Sequence, residues 1–257
     1  MPSPKKSFGQ NFLIKEEICE KIVQSFKEQN NELNVLEVGP GKGALTKYLL
    51  EDDSLNFKAV ELDIEMIPHL SQMAGNDEQI IQADFLKLDL NRIFDGESFS
   101  VIGNFPYNIS TQILFKIEQY KELVPLVVGM FQKEVAERIV SKEGSKKYGI
   151  ISVLLQARYT ATHLFNVDSK SFFPVPKVTS SVIMLQRKKD FSLPCDPKLF
   201  RTVVKLSFNQ RRKMIRNSLK SLLDKVSLED NRFLTRRPEQ MSLEDYYALT
   251  KMIQNQL

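Results

Sequence analysis

Apolar residues fall in short blocks over the first 190 positions and in a helical rhythm after them. Residues 33–39 (LNVLEVG) form a compact apolar run closed by glycine, the pattern of a buried strand entering a tight turn. Residues 57–62 (FKAVEL), 79–83 (QIIQA), 99–103 (FSVIG) and 126–131 (LVVGMF) repeat that pattern, and 150–156 and 181–186 read as two further strands. Between them, 44–51, 64–73, 111–120 and 133–141 read as helices. Strands alternating with helices predict an α/β fold with a parallel sheet and right-handed crossovers. The Pro-broken segment 172–177 (FFPVPK) reads as a loop. Past Pro194 the strand signals stop, and 198–209, 211–224 and 243–254 carry helical periodicity. Asp196 is placed to cap the first of these, with Pro197 at its first position. The expected organisation is a catalytic domain over 1–190 and a small all-helical domain over 191–257.

Composition narrows the classes. A chain of 257 residues can hold one substantial α/β domain plus a small second one. No apolar run reaches the roughly 18 residues of a membrane span, and the first ten residues carry neither a signal core nor an Arg-rich presequence. A cytoplasmic protein without membrane contact is expected. Cys19 and Cys195 stand alone, and His69 and His163 lack metal-ligand spacing, which disfavours a disulfide, a metal site and a Ser-His-Asp triad. The net charge of +4 hides an asymmetry: from Asp196 onward there are 13 Lys and Arg against 7 Asp and Glu, and before it 23 against 25. A basic tail suits a polyanionic partner, or is simply a solvated helix surface.

In an open α/β sheet, ligands sit beyond the carboxyl ends of the strands. Four such ends carry Gly39, Glu61, Asp84 and Asn104. The loop around Gly39 and Gly41 lets a ligand approach the backbone, and a carboxylate at Glu61 can accept both hydroxyls of a ribose. Those two features alone suit NAD as well as S-adenosylmethionine. Asp84 can accept from an adenine amine, or merely cap a helix. Asn104-Phe105-Pro106-Tyr107 is more specific. An adenine N6 amine is a poor nucleophile, because its lone pair is delocalised into the ring. The Asn104 side-chain carbonyl and the Phe105 backbone carbonyl can each accept one of its N–H bonds. Pro106 stiffens the chain, and Tyr107 offers a ring for an extruded base. Further on, Arg211, Arg212, Lys213 and Arg216 cluster at the start of an expected helix, with Lys220 a turn later. Positions 212, 216 and 220 would share a face suited to an RNA backbone, and Lys133 and Arg138 extend the track.

Taken together, these segments resemble the rRNA adenine N6,N6-dimethyltransferase family. The resemblance runs from FGQNFL at 8–13 through the glycine loop, NFPYNIS at 104–110, QKEV at 132–135, FFPVPKV at 172–178 and FNQRRK at 208–213, nearly the whole chain. It implies a Rossmann-like class I S-adenosylmethionine-dependent methyltransferase sheet. Asn11 and Leu13 would lie in the segment that closes over the cofactor, and Gly39 and its loop beside the methionine part. Glu61 would bind the ribose, Asp84 and Phe85 the adenine ring, and Asn104 both cofactor and target amine. Phe172 would sandwich the target base against Tyr107, or else be a core ring. The implied substrate is a pair of adjacent adenosines in the loop near the 3′ end of small-subunit rRNA, each dimethylated late in assembly, in a pre-30S particle, by a monomeric enzyme. Phe105 departs from the family, which usually has Leu there; that bears on the width of the pocket. The alternatives are the related large-subunit methyltransferase of macrolide resistance and, in another class, a non-catalytic assembly factor.

Overall fold

Residues 4–5, 9–190, 192–224, 226 and 232–257 are described by the computed structural model, so Phe8 of the first motif lies outside the described residues. A two-residue strand β1 (Phe12–Leu13) leads into helix α1 (Glu16–Lys27). Periodicity had not marked α1. Its buried positions Cys19, Ile22, Val23 and Phe26 follow helical spacing, and Glu16 and Glu17 sit favourably in its first turn. Then come β2 (Asn34–Val38), α2 (Thr46–Leu49), β3 (Asn56–Glu61), α3 (Ile67–Ala74), β4 (Ile80–Gln82), β5 (Ser100–Asn104), α4 (Ser110–Gln119), β6 (Leu126–Gln132), α5 (Lys133–Val140) and α6 (Ile150–Gln156). The chain continues through β7 (Tyr159–Val167), β8 (Phe172–Phe173), β9 (Ser180–Arg187), α7 (Pro197–Asn209), α8 (Ile215–Ser218), α9 (Lys220–Leu223) and α10 (Leu243–Gln254). Among the described residues no helix is long and apolar enough to cross a membrane.

Seven strands form one sheet in the order β4-β3-β2-β5-β6-β9-β7. The pairs among β4, β3, β2, β5 and β6 are parallel, as expected, and β9 runs antiparallel to β6, so the sheet is mixed. Two expectations fail for physical reasons. Residues 150–156 form a helix, not a strand: Ile151 to Leu155 are all buried, so no polar face marks the helical period. The strand lies just after them, as β7. The expected helix 211–224 is broken. Residues 210–213 turn, with the Lys213 amide donating to the Gln210 carbonyl, and the amides of Ile215 and Arg216 donate to Arg236 and Leu234 rather than to residues one turn back.

Two compact units result. One comprises Met1–Ala136 with Ala161–Arg187, the other Glu137–Thr160 with Lys188–Leu257. The division differs from the expected break at 190, because α6 and the loop before it pack with the C-terminal helices. Tyr148 stands edge-on to Phe208, whose ring stacks on Tyr246. Regrouping sharpens the charge split. The second unit holds 20 Lys and Arg against 10 Asp and Glu, and the first 16 against 22.

Phe105 is only 1% exposed, and its ring lies across the backbone of β5 and β6 beside Phe131. Two glycines make that room. A Cβ on Gly129 would stand 2.2 Å from the ring, and one on Gly103 2.8 Å. The ring at the position where the resemblance expects Leu is thus packed against β5 and β6. We expect Gly129→Ala to destabilise the first unit by about 1–3 kcal/mol through overpacking. Adding Phe105→Leu should restore part of that loss in thermal melts; a double variant no better than the single one would refute this packing relation.

Candidate active site

The carboxyl ends of β2, β3, β4 and β5 open into a cleft of about 350 Å³. Its lining includes Asn11, Leu13, Gly39, Gly41, Glu61, Asp84, Phe85, Asn104, Phe105, Pro106 and Tyr107, so the structure brings eleven of the twelve expected cofactor and catalytic positions together. Gly39 and Gly41 adopt φ of 72° and 55°, a left-handed backbone that turns the loop back over the strand ends. The ring of Phe12 lies where a Gly41 side chain would begin, 3.1 Å away.

Glu61 is buried at the end of β3 and held on both oxygens. Oε2 accepts from the Gly41 amide at 3.0 Å and Oε1 from the Asp63 amide at 2.8 Å. Burial pushes its carboxyl up, against the pull of those amides. A carboxylate has about four acceptor positions, so two remain for a diol. Asp84 serves as a local cap: Oδ1 accepts from the Leu86 amide at 3.0 Å, and Oδ2 lies 3.6 Å from Lys87. It lines the cleft all the same.

Residues 9–11, just before β1, form one wall, and side-chain bonds hold them. Asn104 Nδ2 donates to the Asn11 carbonyl at 3.0 Å. A carbonyl oxygen only accepts, so the amide nitrogen must face it and the Asn104 Oδ1 is left as an acceptor. Asp63, nearly fully buried, accepts from Lys5 at 2.7 Å and from Gln10 at 3.1 Å. Burial alone would raise the Asp63 pKa, but the Lys5 and Gln10 bonds outweigh it and hold the carboxyl below its usual range. Tyr107 donates to or accepts from Ser180, and burial raises its phenol.

Phe172 is the expected catalytic residue that the structure does not bring to the cleft. It pairs with Leu13 in a small antiparallel β1–β8 ribbon, and its ring is 1% exposed, part of the buried core. Of the two readings, the core ring is the one observed. Two carboxylates escaped sequence reasoning. Asp63 lies two residues past Glu61 with no motif to mark it. Glu37 stands inside the glycine motif, lines the cleft, is buried and accepts from Thr46 Oγ1 at 2.7 Å. Burial, reinforced by the Glu61 charge and opposed by the Thr46 hydroxyl, pushes its carboxyl up to about 8. An acidic residue in a buried strand was the available signal.

The basic residues are also redistributed. Arg212, Lys213, Arg216 and Lys220 are exposed, but they lie on a turn and two short helices and form no single helical face. Arg211 is structural in part: Nη2 donates to the Ser145 carbonyl at 3.2 Å, and Nε lies 3.9 Å from Glu239. That bond holds the loop 141–149 against the 210–213 turn, adding exposed Lys142 and Lys146 to the basic group. Lys133 and Arg138 are both exposed on α5, the first in the first unit and the second in the other.

A glycine loop, a ribose-competent carboxylate and an Asn-Phe-Pro-Tyr turn at the strand ends of this mixed sheet define a class I methyltransferase fold. A family model described as ribosomal RNA adenine dimethylase matches residues 1–255. The chain belongs to that family. It is 49% identical over 256 residues to a Parabacteroides distasonis protein named Ribosomal RNA small subunit methyltransferase A, covering 99% of this chain and 95% of that one. A Flavobacterium johnsoniae protein of the same name is 47% identical over 251 residues, covering 97% and 95%. Among solved structures, a dimethyladenosine transferase from Plasmodium falciparum superposes with a TM-score of 0.76 at 22% identity, covering 93% of this chain and 95% of that one. The 23S rRNA methyltransferase ErmE superposes with 0.66 at 23%, covering 96% and 100%. Both share the fold.

Glu37 provides a pH test. Its native pKa of about 8 exceeds the ordinary value of 4.5, so the native state keeps a proton that the unfolded chain releases. The stability it contributes is complete below about pH 4.5 and is lost as pH rises toward 8. Denaturant unfolding of the wild type and Glu37→Gln should therefore diverge in the variant's favour between pH 5 and pH 8. A constant difference across that window would put the Glu37 carboxyl in a water-like environment.

Proposed function

We propose that this protein dimethylates the N6 amines of two adjacent adenosines near the 3′ end of small-subunit rRNA, within a pre-30S particle in the cytoplasm, with S-adenosylmethionine as the methyl donor. The observation that carries the reading is the Asn104 amide, whose nitrogen is engaged by Asn11 and whose oxygen is left as an acceptor at the cleft. Family membership and the names of the full-length relatives support the substrate.

The cleft suits the donor. A volume of about 350 Å³ lies within the range of small-ligand pockets. Glu61 would accept the ribose hydroxyls with the two positions its amide partners leave open. The backbone at Gly39 and Gly41 would meet the methionine part, Asp84 Oδ2 and the Phe85 ring the adenine, and Leu13 with Asn11 the outer side. When bound, S-adenosylmethionine supplies an electrophilic methyl group on a sulfonium.

This chain's residues act on the amine. Asn104 Oδ1 and the Phe105 carbonyl each accept one N–H, which draws the nitrogen toward tetrahedral geometry and turns its lone pair toward the methyl. Pro106 restricts the turn that presents the Phe105 carbonyl. Tyr107, fixed through Ser180, gives a ring for the extruded base. Once the nitrogen is alkylated its proton is acidic, so water can take it and no strong base is required. A monomethylated amine still has one N–H for one acceptor, which permits the second round.

Arg212, Lys213, Arg216, Lys220, Lys142 and Lys146 form the proposed face for rRNA phosphates, in a unit whose charge is strongly positive. Lys133 and Arg138 are proposed as further contacts.

Asn104→Ala should abolish methyl transfer while RNA binding stays within about twofold. Detectable dimethyladenosine, by mass spectrometry of rRNA from small subunits incubated with that variant, would remove Asn104 from the chemistry. Arg212→Ala with Lys213→Ala should weaken RNA binding and reduce the slope of log affinity against log salt by roughly 1–2. An unchanged slope would exclude the two from the interface.

A further inference from the structure

β8 sends two consecutive phenylalanines in opposite directions. Phe172 goes into the core, while Phe173 is 56% exposed. Ile14, whose amide donates to the Ser171 carbonyl, is also exposed, as are Val175 and Val178 on the loop after β8. Large apolar side chains gathered on paired segments at a surface mark a contact site. This patch continues the cleft on two sides. Phe12, the register partner of Phe173, lines the cleft. The loop that follows Phe173 leads to Ser180, the partner of Tyr107. Exposed lysines stand close to it along the chain: Lys170 and Lys177 lie on either side of Phe173, and the backbone amide of Lys133, whose side chain is exposed, donates to the Thr179 carbonyl on the same loop.

An open aromatic ring among cations is the chemistry that holds an unpaired nucleotide, the ring taking the base and the ammonium groups the phosphates. None of the steps above uses Phe173. We infer that Phe173 is the stacking platform for the base next to the target adenosine, with Lys177 drawing in its phosphate. The inference rests on the rRNA dimethyltransferase reading. Extruding one adenine leaves its neighbour with one face unstacked, and a ring at the rim of the same cleft replaces that lost surface.

The chain has no tryptophan, so Phe173→Trp creates a single fluorescent reporter. Titrated with a short hairpin copying the substrate loop, its emission should be quenched. The quenching should disappear when the neighbouring nucleotide is abasic and persist when only the target position is abasic. In steady-state assays on unmethylated small subunits, Phe173→Ala should raise the KM for subunits roughly tenfold with kcat and the cofactor KM unchanged. Phe173→Trp should restore it and Phe173→Leu should not. Quenching that ignores the neighbouring base, or a Leu variant equal to wild type, overturns the inference, and a normal subunit KM in Phe173→Ala would give the patch to a protein partner instead. A wild type that binds the hairpin yet leaves its adenosines and those of whole subunits unmethylated would strike the proposed function, a separate readout from the fluorescence.

Discussion

One hydrogen bond decides what the cleft can do. Asn104 ends a parallel strand, and its amide could face the ligand with either its oxygen or its nitrogen. The Asn11 carbonyl removes that choice by accepting from the nitrogen. An acceptor is then presented to the cleft, as the proposed handling of a base's amine requires, and the same bond ties Asn11 to the loop at 104–107. Positioning is therefore built in before any substrate arrives, at a modest energetic cost, since each partner satisfies a group that would otherwise need water.

The carboxylates of the site divide by environment. Glu61 keeps its place because two backbone amides point at it, and Asp63 because Lys5 and Gln10 do. Glu37, with one hydroxyl and no cation, is driven toward its neutral form. Two adjacent buried acids thus avoid carrying two adjacent charges, which a low-dielectric cleft would penalise heavily. Lys5 and Gln10 both bond to Asp63 just past β3, so they share one hydrogen-bonded frame with Glu61.

Charge is distributed by unit. The unit that holds the cleft is net acidic, and the unit formed by α6 to α10 with the loop at 141–149 is strongly basic. On the proposed function, attraction for a polyanion and chemistry on a single amine fall to different units. Near the cleft itself the exposed surface is apolar, with Phe173 and its neighbours, and only locally basic.

The parallel strands and the four polar strand ends were readable because burial on both faces leaves a continuous apolar run and because glycine and carboxylate punctuate it. Eleven of the cleft residues followed from that punctuation and from the family resemblance. Helix α6 and the break after Arg211 were not readable. An all-round buried helix has no period, and the carbonyls of Leu234 and Arg236 that interrupt the 211–224 run come from residues some twenty positions away. Phe172 and Phe173 are identical letters in one motif, and only the β1–β8 pairing decides which ring is buried. Asp63 acquires its role from Lys5, 58 residues distant. Local sequence thus determined element type wherever a periodic pattern exists and located the chemistry at strand ends. Tertiary structure decided side-chain direction, ionisation and the grouping of charge, because each depends on partners that are remote in the chain.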